Sequence, residues 1–190
     1  MNRCVIVGAG ELLSYEKAKS LIKKDDYIIS ADGGYEHLKK MGIIPNLAIG
    51  DFDSSQNVPT DTETIVLQAE KDVTDTFFAS EIAIEKGFKE IVYLGMLGGR
   101  LDHSIANIQT LNFLLDNGVI GHIYGENTYI TAIRNSSIML SPQENKYLSL
   151  FPTGDKAEGV YIKNEKYKLD NYTLKNNYPI GVSNEFTNNN

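Results

Sequence analysis

Apolar runs of four or five residues alternate with amphipathic stretches over the first two thirds of the chain. Cys4–Val7 is one such run, ending in Gly8-Ala9-Gly10, and predicts a buried strand followed by a turn. Ser14 can cap a helix carrying Ala18, Leu21 and Ile22 on one face. Tyr27–Ala31 is a second strand, closed by Asp32-Gly33-Gly34, and the helix after it turns Leu38 and Met41 inward and stops at Gly42. Leu47–Gly50 is a third strand, closed by Asp51-Phe52-Asp53, and Thr64–Leu67 a fourth. Thr74–Lys86 predicts a helix with Phe78, Ile82 and Ala83 inward, stopped at Gly87. Glu90–Leu94 is a fifth strand. Asp102–Asn117 is a long helix carrying Ile105, Ile108, Leu111, Leu114 and Leu115, and Val119–Tyr124 is a sixth strand.

Uninterrupted apolar strands that alternate with helices indicate an α/β fold: a mostly parallel sheet buried between helical layers. After about residue 120 no helix is expected. Tyr129–Arg134, Ser136–Leu140, Tyr147–Phe151, Gly159–Lys163 and Lys166–Leu169 are short alternating stretches punctuated by Asn, Pro and Gly. They read as antiparallel β structure. The shift near Gly125 predicts two domains, 1–124 and 125–190, with a polar, fraying tail at Thr187–Asn190.

Charge narrows the partners. A net charge of −7 argues against non-specific binding to nucleic acid or an anionic membrane, and fits metal cations or a cationic substrate. The single cysteine, Cys4, excludes an intramolecular disulfide and a cysteine-rich metal site. No apolar run approaches the roughly 18–20 residues a membrane span needs. Val5-Ile6-Val7 is too short for a signal-peptide core, so a cytoplasmic location is expected.

Carboxylates gather at strand ends. Asp32, Asp51 and Asp53 each follow a predicted strand, and ligands of open parallel sheets bind in the crevice at the carboxyl ends of strands. Lys71-Asp72-Val73-Thr74-Asp75 opens one helix and Gly98-Gly99-Arg100-Leu101-Asp102-His103 the next. In an extended segment Asp51 and Asp53 point the same way, and such a pair, with Asp72 and Asp75 in the same crevice, suits Mg²⁺ shared with substrate phosphates. Asp-x-Asp-Ser also suits a plain turn. Gly33-Gly34 serves either a tight turn or close backbone approach to a nucleotide. Arg100 suits phosphate oxygens or a salt bridge to Asp102, and His103 is either a ligand-facing or a solvent-facing first-turn residue. His37 and His122 make no zinc-ligand pattern with His103. Neither a Walker loop nor a dinucleotide fingerprint occurs, so phosphate would be held by metal, Arg100 and Lys71.

Ala31-Asp32-Gly33-Gly34, Pro45-Asn46 through Gly50-Asp51-Phe52-Asp53-Ser54, Lys71 to Asp75, and Gly98 to His103 resemble the thiamine pyrophosphokinase family in order and spacing. Gly181-Val182-Ser183-Asn184-Glu185-Phe186 resembles that family's thiamine-domain motif. The resemblance implies an ATP-binding α/β domain, a C-terminal β-sandwich, and a homodimer with thiamine held between subunits. It implies Mg²⁺ on Asp51, Asp53 and Asp75, and Asp32, Gly33 and Gly34 along the nucleotide. It places Arg100 and Asp102 at the reacting phosphates and Ser183 and Asn184 near thiamine. Lys71 and His103 are expected beside the nucleotide, and Asp72 or Asp102 as the proton acceptor. Family members run on for another strand or two past this motif, so the last sheet is expected to be incomplete. The family's animal members place a Trp on thiamine; this chain has none. Two other readings compete. One is a haloacid-dehalogenase-like phosphatase with Asp51 as nucleophile. The other is a non-catalytic nucleotide or thiamine sensor.

Overall fold

A computed structural model describes residues 2–12, 14–51, 59–68 and 73–187. The chain divides into two compact units, residues 1–134 and 135–190.

In the first unit, β1 (Arg3–Val7), α1 (Tyr15–Leu21), β2 (Tyr27–Ala31), α2 (Gly34–Lys40), β3 (Leu47–Gly50), β4 (Glu63–Val66), α3 (Asp75–Glu85), β5 (Glu90–Leu94), α4 (Leu101–Asp116), β6 (Ile120–Tyr124) and β7 (Tyr129–Thr131) follow in order. The strands form one sheet in the order β4-β3-β2-β1-β5-β6-β7. Every pairing is parallel except β6 with β7. Strand periodicity divides the apolar side chains between two faces. Cys4, Ile6, Ile29, Ile91 and Tyr93 pack under α3 and α4 with Ala79, Ala83, Leu111 and Leu114. Val5, Val7, Ile28, Val92 and Leu94 pack under α1 and α2 with Ala18, Leu38 and Met41. Burying each large aliphatic side chain contributes about 1.5–3 kcal/mol, so both faces are needed to hold the central strands.

Helix ends follow the expected caps. Ser14 Oγ accepts from Lys17 N and Thr74 Oγ1 from Phe77 N. Gly42, Gly87 and Gly118 follow α2, α3 and α4 with φ of 67°, 86° and 67°, the left-handed turn that glycine adopts without a Cβ clash.

The second unit holds β8 (Tyr147–Leu148), β9 (Lys156–Ile162), β10 (Leu169–Lys175) and β11 (Asn184–Glu185). They form two antiparallel pairs, β9 with β10 and β8 with β11.

Several expected boundaries move. Tyr129–Thr131 extends the first sheet as β7 because it pairs with β6, so the division falls after Arg134 and not near Gly125. Ser136–Leu140 forms no strand, and strand structure in Tyr147–Phe151 is confined to Tyr147–Leu148. The expected strand at Lys166–Leu169 begins only at Leu169 and runs to Lys175, where it finds a partner in β9. Local alternation proposes strands; a partner with free N–H and C=O groups decides which form.

Candidate active site

The sheet order creates the site. From β1 the chain moves outward through β2 and β3 to β4, then crosses by α3 to β5 on the other side of β1. Helices α1 and α2 therefore cover one face and α3 and α4 the other, and the crevice lies where the connections leaving β1 and β5 turn to opposite faces. All the parallel strands present their carboxyl ends there, about 4.8 Å apart from strand to strand.

Three glycines let the walls of this crevice close. Gly8 N–H donates to Leu94 O at 2.9 Å and Gly10 N–H to Gly95 O at 2.8 Å, so the β1 and β5 loops continue the pairing of their strands. A Cβ on Gly8 or Gly10 would stand 2.9 or 2.6 Å from Gly95 O, and one on Gly34 only 1.8 Å from Val7 O. Larger residues cannot enter without moving backbone.

Asp32 ends β2 with φ of 51°. That left-handed conformation is uncommon outside glycine and is tolerated by Asp. Its N–H donates to Ile49 O at 2.7 Å, which fixes the turn against β3 and leaves the side chain exposed. Asp51 ends β3 half-buried. Asp75 stands in the first turn of α3, and the same turn reaches the loop after β5, where Thr76 Oγ1 donates to Met96 Sδ at 3.6 Å. Buried Asn107 on α4 donates to Met96 O at 2.9 Å and holds the β5–α4 loop.

Gly98 and Gly99, with φ of 90° and 64°, turn this loop into Arg100. Arg100 grips Asp102 through two bonds, Nη2 to Oδ2 at 2.5 Å and Nε to Oδ1 at 3.1 Å. The side chains remain 70% and 64% exposed. The guanidinium, through these bonds, holds the Asp102 carboxyl below its ordinary range, and Asp102 in turn raises Arg100. Water screens so exposed a pair, which makes it easy to exchange for a ligand anion. His103 follows on the same turn, exposed.

The structure thus brings Asp32, Gly33, Gly34, Asp51, Asp75, Arg100, Asp102 and His103 to one edge of one sheet. Asp53, Lys71 and Asp72 lie outside the described residues. Among the described residues no three His, Cys, Asp or Glu side chains form a ready metal cage. Mg²⁺ does not require one, since it takes one or two protein carboxylates and fills its octahedron with water and substrate phosphate. The hard oxygens of Asp51 and Asp75 fit that chemistry.

Ser183 and Asn184 belong to the second unit. Ser183 is exposed with φ of 58°, and its N–H donates to Ser149 Oγ at 3.1 Å. Asn184 is buried; its Oδ1 accepts from Tyr167 N at 2.9 Å and its Nδ2 donates to Tyr167 O at 2.6 Å. Its amide therefore stitches β11 to the segment before β10.

Sequence reasoning passed over Glu11, Tyr15, Thr76 and Asn107, and weighed His37 only as a zinc ligand. A Cβ on Gly98 would lie 3.2 Å from the Glu11 carboxylate, which places that acid on the β5 loop. Gly8-Ala9-Gly10 after the first strand was the available signal for Glu11. The others lie within helices, where only the fold shows which loop a side chain reaches.

Known proteins share both units. The family model described as thiamin pyrophosphokinase, catalytic domain, matches residues 18–119. The model described as thiamin pyrophosphokinase, vitamin B1 binding domain, matches residues 135–190. Thiamine pyrophosphokinase of Bacillus subtilis is 31% identical over 164 residues, covering 83% of this chain and 77% of its own length. Thiamin pyrophosphokinase 1 of Caenorhabditis elegans is 25% identical, covering 97% of this chain and 81% of its own. The crystal structure of the Bacillus subtilis enzyme superposes with a TM-score of 0.87 at 28% identity, covering 97% of this chain and 89% of that one.

Proposed function

Because this chain belongs to the thiamin pyrophosphokinase family, we propose that it transfers the pyrophosphoryl group of ATP to the hydroxyl of thiamine at the carboxyl edge of the β4–β7 sheet. The observation that carries this reading is the gathering of Asp32, Asp51, Asp75 and Arg100 from four separate junctions onto that edge, beside glycines whose missing Cβ lets the β1, β2 and β5 loops approach one another.

In this reaction the hydroxyl oxygen of thiamine attacks the β-phosphorus of ATP. The new O–P bond forms as the bond from the β-phosphorus to the bridging oxygen breaks, AMP leaves with that oxygen, and the hydroxyl proton passes to a base. Positioning and charge neutralisation carry most of such a transfer. Asp32, Gly33 and Gly34 line the nucleotide, with Lys71 and His103 beside its phosphates. Arg100 turns its fork from Asp102 to the phosphate oxygens that gain charge. Asp51, Asp53 and Asp75 would hold Mg²⁺, which would neutralise phosphate charge there. Asp102 in its paired state is a weak base, because Arg100 lowers its pKa. Handing Arg100 to the nucleotide relieves that effect and readies Asp102, as the alternative to Asp72, to accept the proton.

Ser183, with Asn184 fixing its loop, borders the thiamine site. A homodimer, with thiamine bound where subunits meet, is supported by the apolar side chains that the second unit leaves exposed: Met139, Phe151, Tyr161, Tyr167 and Tyr178. A cytoplasmic location agrees with the absence, among the described residues, of any helix long and apolar enough to cross a membrane.

The test is AMP release from ATP and Mg²⁺ with and without thiamine, with and without EDTA. Thiamine-dependent AMP, matched by thiamine diphosphate and lost with EDTA, is the expected result. AMP or phosphate released at the same rate without thiamine would defeat the proposal.

A further inference from the structure

Tyr15 and His37 take no part in the chemistry above, yet they join its two nucleotide-facing loops. His37 lies on α2, one turn after Asp32-Gly33-Gly34. Its Nε2 stands 2.9 Å from Gly10 O and its Nδ1 2.9 Å from the Tyr15 hydroxyl. A carbonyl oxygen only accepts, so Nε2 carries the hydrogen and donates to Gly10, and in the neutral ring Nδ1 then accepts from Tyr15. Gly10 is thereby held at both ends of its peptide chemistry, its C=O by His37 and its N–H by Gly95. The next residue is Glu11, lying on Gly98. A half-buried imidazole therefore connects the β2–α2 loop to the β1 loop, and through it to the loop that carries Arg100.

We propose that His37 is a positioning residue for the nucleotide: it locks the Gly8–Gly10 loop to the Asp32–Gly34 loop so that ATP meets one preformed surface. This rests on the nucleotide lying at the crevice between β1 and β5, as proposed above. A preformed surface saves the entropy of ordering loops on binding, so its loss appears in ATP affinity and not in the attack by thiamine. Tyr15 sets the tautomer by donating to Nδ1, as an orienting partner does for a metal-bound histidine.

The experiment compares wild type with His37→Phe, His37→Gln, His37→Asn and Tyr15→Phe. It measures MgATP binding by calorimetry without thiamine, KM for each substrate, kcat, and melting temperature. His37→Phe is expected to weaken MgATP binding and raise its KM about three- to tenfold, the effect of one hydrogen bond, with KM for thiamine unchanged. Gln places an amide nitrogen where Nε2 stands and restores most of the affinity, whereas Asn falls short and does not. Tyr15→Phe gives a smaller loss in the same direction. Should His37→Phe fail to fold, the Gln and Asn pair decides. Unchanged ATP affinity in His37→Asn overturns the proposal. So does a fall in both affinities and kcat that follows melting temperature alone. Wild type that binds MgATP but forms no thiamine diphosphate would defeat the proposed reaction while leaving the role of His37 open to the binding arm. Wild type that binds no MgATP defeats both.

Discussion

The two units of the chain stabilise themselves in different ways. Residues 1–134 bury apolar side chains on both faces of a seven-stranded sheet, whose central strands are almost fully enclosed. Among the described residues of 135–190, Ile162 and Leu174 are the buried hydrophobics, and the two sheets have two strands each. A two-stranded hairpin is marginal alone in water. Backbone conformation differs as well. Among the described residues of the first unit, left-handed backbone falls on glycines at element ends and in loops, with Asp32 the exception. In the second unit Asn135, Asn145, Asn164, Asn171 and Ser183 adopt it, with Gly159 in β9. The register of β9 and β10 shifts on both sides of Tyr172, next to Asn171. Such bulges twist a hairpin and redirect its side chains. The first unit is thus a rigid frame that displays chemistry at its strand ends. The second is a set of turns and short pairs whose form depends on local polar bonds.

The largest effect should come from the carboxylates proposed to hold Mg²⁺. Asp75→Ala, and likewise Asp53→Ala, should abolish thiamine diphosphate formation and leave the urea unfolding midpoint unchanged. Activity retained in either purified variant would remove it from the metal set.

Arg100→Ala should lower kcat about 10²–10³-fold, the usual loss for one donor aimed at developing charge. The same variant reads the base. Arg100 lowers the pKa of Asp102, so its removal lets that pKa rise. If Asp102 accepts the proton, the acid limb of the kcat/KM profile, which reports the free enzyme where the pair is intact, moves to higher pH in Arg100→Ala. A limb that stays in place leaves Asp72 as the acceptor.

Gly34→Ala tests the frame itself. Its Cβ would collide with Val7 O and C, both backbone atoms of β1, at 1.8 and 2.5 Å. Destabilisation of about 3 kcal/mol is expected from urea denaturation, at the upper end for overpacking because neither partner is a flexible side chain. A midpoint close to wild type would show that α2 can slide.

Asn184→Ala sharpens the contrast from the other side. It removes both partners of the Tyr167 backbone and should cost about 1–3 kcal/mol. Hydrogen exchange should quicken near Tyr167 and β11, with amides of β1 and β5 unchanged. Faster exchange in both units would mean that they unfold together.

How much of this was legible depended on the range of the interactions involved. Every helix and strand of the first unit was foreseeable within a residue or two, except β7, because burial imposes a periodicity on each segment separately. In the second unit Ser136–Leu140 alternates as a strand does and forms none, while Leu169–Lys175, with a bulge, is a strand that alternation placed too early. Pairing is a property of two segments, and one segment's pattern does not contain it.

The site divides in the same way. That Asp32, Asp51, Asp75 and Arg100 stand at junctions between elements was written in the sequence, since turn chemistry is local. That these junctions share one edge follows from the crossover by which α3 brings β5 beside β1. The folded chain decides for the Arg100–Asp102 pair, one of two uses of Arg100 the sequence left open, and it alone shows that Asn184 is taken up by Tyr167 and that His37 reaches Gly10. Periodicity and turn residues act over a few neighbours and leave their mark in the order of amino acids. Contacts between distant residues are fixed by sheet order and close approach, which arise when the whole chain has packed.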